Sequence, residues 1–256
     1  MHAPPRPQAD PARPDAAQHL SDQPDRGHFV IRFFSLIPRR PDIDRQRFHD
    51  HWRHPHGTLG RQIPGMLTYV QAHQFDTDRL GPGQDEYDGV AMPSFDSAAD
   101  AATLVDEPLF VDTIRPDEPL FQDLSRVIFF ITEEEVIVSR PAIGALTPAD
   151  RQWDVLERPT SIHLLQFVHQ DGNPDWTGAD DAELGLRIGA LRHAVNRPSA
   201  QVHSDGAPFL GVRQLWWPTL TAFQDGVDAD RAAFAELLDR AGHAVTMLAV
   251  SERFLR

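Results

Sequence analysis

Residues 86–92 read EYDGVAM, and the fold follows from what stands on either side of them. Their alternation is that of a half-buried strand. They follow a turn-rich loop, DTDRLGPGQD (76–85), and lead into SFDSAADAATLVD (94–106), which has helical spacing and a cap at Ser94 or Asp96. Upstream, MLTYVQAHQF (66–75) also alternates, and DIDRQRFHDHWRHPHGTLGRQ (42–62) is helical with Asp42 or Asp44 as N-cap. HFVIRFFSLI (28–37) and SRVIFFITEEEVIVS (125–139) complete the set as β-rich outer strands. The order is strand, helix, two strands, helix, strand.

That order recurs. SIHLLQFVHQ (161–170) is a strand and ADDAELGLRIGALRHAV (179–195) a helix. SAQVHSD (199–205) and FLGVRQLWW (209–217) are strands, DADRAAFAELLDRAG (228–242) a helix, and HAVTMLAVSERFL (243–255) a last strand. Gly89-Val90 and Gly211-Val212 fall at the same point of the two orders. The spacing therefore predicts an α+β chain of two ferredoxin-like βαββαβ halves, 28–140 and 161–256. Each half has one sheet face covered by helices and one that needs a partner. Paired on each other, the two open faces give an α+β barrel within one chain. The expected chain is a monomer by this internal pairing, or a homodimer. An N-terminal arm (1–27) and a linker (141–160) flank the halves; six prolines in the first 25 residues mark the arm as disordered.

Composition removes whole mechanisms. The net charge of −14 leaves no positive footprint for nucleic acid or an anionic membrane surface. No apolar run approaches the ~18 residues of a membrane span, and the first residues lack the apolar core of a secretory signal, so a cytoplasmic location is expected. Without cysteine there is no disulfide, thiolate nucleophile or Cys-ligated metal. All 24 basic residues are arginine, so Schiff-base chemistry and a Walker-type phosphate loop are excluded. Acid–base groups remain.

Four of the 13 histidines fall in RFHDHWRHPHGTLG: His49, His51, His54 and His56. At about 100° per residue, His49 and His56 lie on one shoulder of the Phe48–Trp52–Leu59 stripe, His51 on the other, and His54 points away. No pair has the i, i+4 spacing of a zinc helix, so no metal site is expected, and His49 and His51 are expected at the surface. Pro55 disfavours helix at His54, so the helix should kink there and turn His56 toward the sheet. A histidine capping helix carbonyls would look the same in sequence. On 66–75, Tyr69, Gln71 and His73 share one face, either in a site or as a polar ladder at a strand edge. Asp88 is a carboxylate able to fix the tautomer of His56. Arg32 either enters the site or pairs with Glu133 or Glu134.

Phe48, Trp52, His56, Gly57, Leu59, Pro64-Gly65 and Tyr69-Val70-Gln71, followed by YDGVAMPSFDS (87–97) and EPLFQDLSRVIFFITEEEVIV (118–138), resemble the EthD family. The resemblance covers 28–139; MPSF lacks the usual family tryptophan, and the second half has no equivalent of His56 and carries Leu210 where Asp88 stands. It implies the dimeric α+β barrel superfamily, whose members include cofactor-free cyclases, dehydratases, isomerases and monooxygenases, and some haem binders that use one histidine. The expected function is a cofactor-independent acid–base enzyme, a lyase or isomerase, acting on a hydrophobic carbonyl-bearing metabolite. His56 and Asp88 are its expected catalytic pair, with Trp52, Tyr69, Gln71, His73 and Arg32 against the substrate. A non-catalytic small-molecule binder and a haem-binding barrel are the alternatives.

Overall fold

The computed structural model describes residues 30–139 and 159–255. The expected arm (1–27) and nearly all of the expected linker (141–160) lie outside these residues. The first half runs β1 (Val30–Ile37), α1 (Arg45–His51), a π-helical turn (Trp52–Gly57), α2 (Thr58–Gly60), β2 (Thr68–Gln74), β3 (Gly89–Phe95) and α3 (Ala98–Thr103). It continues through a 3-10 turn (Leu104–Asp106), a π-helical turn (Phe110–Ile114), α4 (Arg115–Asp117) and a 3-10 turn (Glu118–Leu120) to β4 (Ile128–Ser139). The second half is β5 (Thr160–His169), α5 (Asp181–Arg187), β6 (Arg192–Pro198), β7 (Phe209–Trp217), α6 (Leu220–Ala229), α7 (Arg231–Asp239) and β8 (Ala244–Leu255).

The fold is mixed α+β, built on a closed antiparallel barrel of eight strands in the order β1-β3-β2-β8-β5-β7-β6-β4. Strands from the first half occupy four consecutive places in the ring, β4-β1-β3-β2, and the second half fills the rest as β8-β5-β7-β6. Two seams, β2 with β8 and β4 with β6, join the halves through antiparallel ladders. No helix among the described residues is long and apolar enough to cross a membrane.

Strand alternation sends one set of side chains inward and the other under the helices. Phe34, Val90, Met92, Phe130, Phe167, Val212 and Met247 form the core inside the barrel, with Phe34 and Phe167 edge to face at 5.5 Å. Outside, Leu164, Leu215, Trp217, Phe223, Phe234 and Leu237 seal the second half under α5, α6 and α7. In the first half the outer packing is divided. Phe48, Trp52 and Phe121 form one cluster and Phe33, Phe95, Leu104, Phe110 and Ile114 another. Each fully buried side chain of this size contributes about 1.5–3 kcal/mol.

Two strand glycines make room for large side chains packed on the sheet. A Cβ on Gly89 would overlap the Trp52 ring, and one on Gly211 would overlap the Trp176 ring and the Asn196 carbonyl. The bare backbone at one point of β3 and of β7 thus receives an indole, Trp52 in one half and Trp176 in the other.

Several expected boundaries moved. The helix expected over 179–195 stops at Arg187, and β6 begins at Arg192. Gly189, at φ 71°, turns the chain out of the helix, and RHAV then alternates as strand. SAQVHSD (199–205), expected as a strand, therefore lies wholly in turn and loop between β6 and β7. The cap of α3 is Ser97, whose hydroxyl accepts from the Asp100 amide at 3.1 Å, because β3 runs on through MPSF to Phe95. Helix α6 went unrecognised in sequence, although Thr219 caps it. Asp44 is the cap of α1, accepting from the Arg47 amide at 2.7 Å.

Candidate functional site

The site begins with a broken helix. His54 has φ −144° and ψ 118°, the extended conformation that a following proline favours, and Pro55 follows it through a cis bond. Helical stretches on either side of this kink meet between Trp52 and Gly57. His51 and His56 flank the kink, and they converge on one carboxylate. His51 Nε2 lies 2.9 Å from Asp117 Oδ1, and His56 Nδ1 lies 3.0 Å from Asp117 Oδ2. The straight-helix phase had set these two histidines on opposite shoulders.

Both rings also pack on buried Phe121, His51 stacked at 5.1 Å and His56 edge-on at 4.8 Å. Burial alone would raise the Asp117 carboxyl, but hydrogen bonds from His56 and His51 outweigh it and hold the group below the usual carboxylate range. With Nδ1 committed to Asp117, His56 keeps Nε2 for other chemistry.

His56 lines a cavity of about 560 Å³, counting its open mouth, between the outer face of β1, β2 and β3 and the helical segments above. Most of the wall is apolar: Phe33, Ile37, Ile63, Met66, Ala91, Pro93, Leu104, Val105, Phe110, Ile114 and Phe129. Its polar members are Ser35, His56, Tyr69, Glu118 and Gln122; none is an arginine. Burial pushes the Tyr69 hydroxyl up to about 12, and its oxygen accepts from Gln71 Nε2 at 2.9 Å. Burial pushes Glu118 up to about 7; Gln122 and Arg115 pull the other way and the Asp117 charge adds to the rise. The Oε1 of Gln122 is buried without a hydrogen-bond partner.

Of the seven residues singled out from sequence, the structure brings His56 and Tyr69 to this cavity. Asp88 stands apart from it. Its carboxylate binds the Arg39 guanidinium and backbone amide at 2.5 and 2.8 Å and lies 3.7 Å from Arg45. Trp52 is wholly buried against Gly89, outside the cavity. Gln71 donates to the Trp52 carbonyl at 2.9 Å, supporting the backbone at the start of the kinked segment. His73 shares a short contact with His49, Nδ1 to Nδ1 at 2.9 Å, so His49 is a buried group and not the surface one expected. Desolvation drives His49 down to about 4 and His73 to about 2. Arg32 points into the barrel, where it and Arg192 each reach Glu134 Oε2 at 3.0 Å. His54 is exposed, with Nδ1 2.5 Å from Thr58 Oγ1.

Sequence reasoning missed Asp117, Glu118 and Gln122. Their segment, RPDEPLFQD, has a signal in hindsight: two adjacent acids framed by prolines that fit the first turn of a helix. A haem does not fit the donor set, since the lining offers no cation for its propionates and places a carboxylic group there instead.

The EthD domain family model matches residues 40–125, a span that holds His56, Tyr69, Asp117, Glu118 and Gln122. No curated protein matches the chain. Among solved structures, an anthrone oxidase-like protein is 12% identical, with 90% of this chain and 94% of that one covered at a TM-score of 0.57. At that identity the likeness is one of fold. A chlorite dismutase from Candidatus Nitrospira defluvii is 9% identical over 88% of this chain and 92% of that one, at a TM-score of 0.48. An EthD family protein from Bacillus halodurans C-125 is 16% identical over 41% of this chain and 99% of that one, at 0.35. These last two are too distant in shape to carry an argument.

Proposed function

We propose, from the EthD match over 40–125 and the cavity that this span lines for the most part, that this chain is a cofactor-independent acid–base enzyme for neutral, hydrophobic, carbonyl-bearing small molecules. The observation that carries this reading is His56 at the wall of an apolar cavity with Nδ1 fixed by Asp117. A carboxylate on one ring nitrogen sets the tautomer and leaves the other nitrogen to take a proton, as general-base catalysis requires. Asp117 takes the part that sequence reasoning gave to Asp88.

The lining also supports a substrate class. An acidic substrate would enter beside Asp117 and Glu118 with no arginine on the wall to receive it. A neutral fused-ring ketone meets aromatic and aliphatic walls. Enolisation, dehydration, cyclisation and double-bond isomerisation of such compounds all begin with the proton transfer offered here. We also read the halves 28–140 and 161–256 as ferredoxin-like units, a reading supported by the like strand order in each half of the ring. Closure within one chain supports a monomer.

A metabolite screen scored for turnover tests the function, with anthrone-type ketones included because of the fold likeness. On any compound turned over, His56→Ala lowers the rate by about 10²-fold or more, while His54→Ala, on the exposed side, leaves it near the wild-type value. Equal rates would reduce His56 to a structural cap. Binding without turnover would make the chain a carrier, and a Soret band in the purified protein would reopen the haem alternative.

A further inference from the structure

Five polar residues line the cavity, and most have little to give a substrate at neutral pH. Tyr69 is held far above neutrality and already accepts from Gln71. Ser35 and Gln122 are not proton carriers at this pH. Asp117, beside the cavity, is committed to two imidazoles. Two groups remain: His56, with Nε2 uncommitted, and Glu118, the next residue after the aspartate that positions His56. A single short segment, α4 and the 3-10 turn that follows, therefore fixes the base and presents a second carboxyl to the same space.

We propose that Glu118 is the acid that works against His56, giving its proton to the carbonyl oxygen of a substrate while His56 Nε2 takes one from the neighbouring carbon. This rests on the acid–base reading of the cavity and adds a second catalytic residue to it. The C–H bond breaks and its electron pair becomes the new C=C bond. The carbonyl π pair takes the proton from Glu118 as an O–H bond, leaving an enol, an imidazolium and a carboxylate. Return by the same path restores all three, with any solvent proton gained by His56 now on carbon. Neutral enol formation suits this wall, because a free enolate would be a charge placed among aromatic rings next to Asp117.

The groups that face Glu118 are consistent with a proton held near neutrality. Asp117 and Arg115 come from its own segment, Gln122 from the turn beyond, and Tyr69 from β2. Burial outweighs the pull of Arg115, so Glu118 keeps its proton up to about pH 7. Below that pH the acid is loaded; above it the group ionises and the proton to be donated is gone.

The probe is 1-tetralone, a neutral bicyclic ketone with one enolisable CH2 beside its carbonyl, followed by proton NMR in D2O. The full-length protein should accelerate exchange at that carbon, with a rate that falls as pH rises through about 7. His56→Ala should lower the exchange rate by about 10²-fold or more. Glu118→Gln, near in shape and unable to give a proton, should lower it by about 10²-fold and abolish the fall above neutrality. Glu118→Asp should restore part of the rate and of the pH dependence, and near-UV circular dichroism with tetralone binding verifies that each variant keeps its cavity. If His56→Ala is inactive while Glu118→Gln keeps the wild-type rate and alkaline fall, the assignment of Glu118 is wrong and the base stands. Absence of exchange by the wild-type protein would instead remove the acid–base reading itself.

Discussion

The two halves place opposite contents at equivalent points. In β1 and β3, Ser35 pairs with Ala91 two residues along from the Ile37–Gly89 pair, and both line the cavity. In β5 and β7, Gln166 pairs with Arg213 two residues along from the Val168–Gly211 pair. Arg213 is fully buried and bonds Gln166 Oε1 at 2.7 Å, Leu237 O and Trp176 O at 2.6 Å, and Asp181 Oδ2 at 3.0 Å. Where one half has an alanine and a serine it keeps an opening. Where the other has an arginine and a glutamine, a hydrogen-bonded plug occupies the space. The scaffold is common, with Trp52 on Gly89 and Trp176 on Gly211, so the difference lies in a few side chains facing the helices.

Acid should test both halves most severely. Burial holds His49 at about 4, His73 at about 2 and His193 at about 3, and drives His163 well below its ordinary value of 6.5. A folded-state pKa below the unfolded one means that the unfolded chain binds the proton first. The stability these groups provide is therefore complete above pH 6.5 and is lost as pH falls toward 4 and below. Each contributes a slope of up to about 1.4 kcal/mol per pH unit within that window. Urea unfolding across the range should show a single transition that weakens steeply, and His73→Asn should flatten the slope by one group. Two separate transitions would show that the halves are energetically independent.

Next in size is Arg213→Ala, which leaves Asp181 buried with Arg240 as its remaining cation. Breaking a buried pair in this way costs about 3–5 kcal/mol, measurable as a shift of the urea midpoint. A loss below about 1 kcal/mol would mean that the plug is decorative and the comparison weak. Gly89→Ala and Gly211→Ala should each cost about 1–3 kcal/mol through overpacking against an indole. Gly211 is the worse site because the Asn196 carbonyl cannot move aside as a side chain can. The smallest stability effect belongs to Ala91→Leu, about 1 kcal/mol because the added atoms enter an opening, yet it should weaken tetralone binding by filling that opening. Unchanged binding would place the ligand elsewhere.

The alternation that made Tyr69, Gln71 and His73 one face was legible, as were the Asp44 cap, the break at Pro55 and the glycine correspondence of β3 and β7. What sequence could not carry was phase across the break. A single helical angle keeps His51 and His56 apart, whereas the kink at His54–Pro55 resets the phase and both reach Asp117. Sequence places the partner of His56 in the nearby strand, at Asp88, because a run of short turns between two prolines offers no periodicity by which to place Asp117. Arg32 shows the same limit from the other side: alternation gave its face, but only the closed ring decides that this face looks inward, to Glu134.

A barrel assembled from two copies of one chain repeats every substitution on both sides, so an arginine that stiffens one wall must also block the other. Here both walls belong to one polypeptide, and the ring closes without an unpaired edge. Each wall is free to diverge. An alanine at 91 and an arginine at 213 can coexist, one side accumulating rigidity while the other stays hollow.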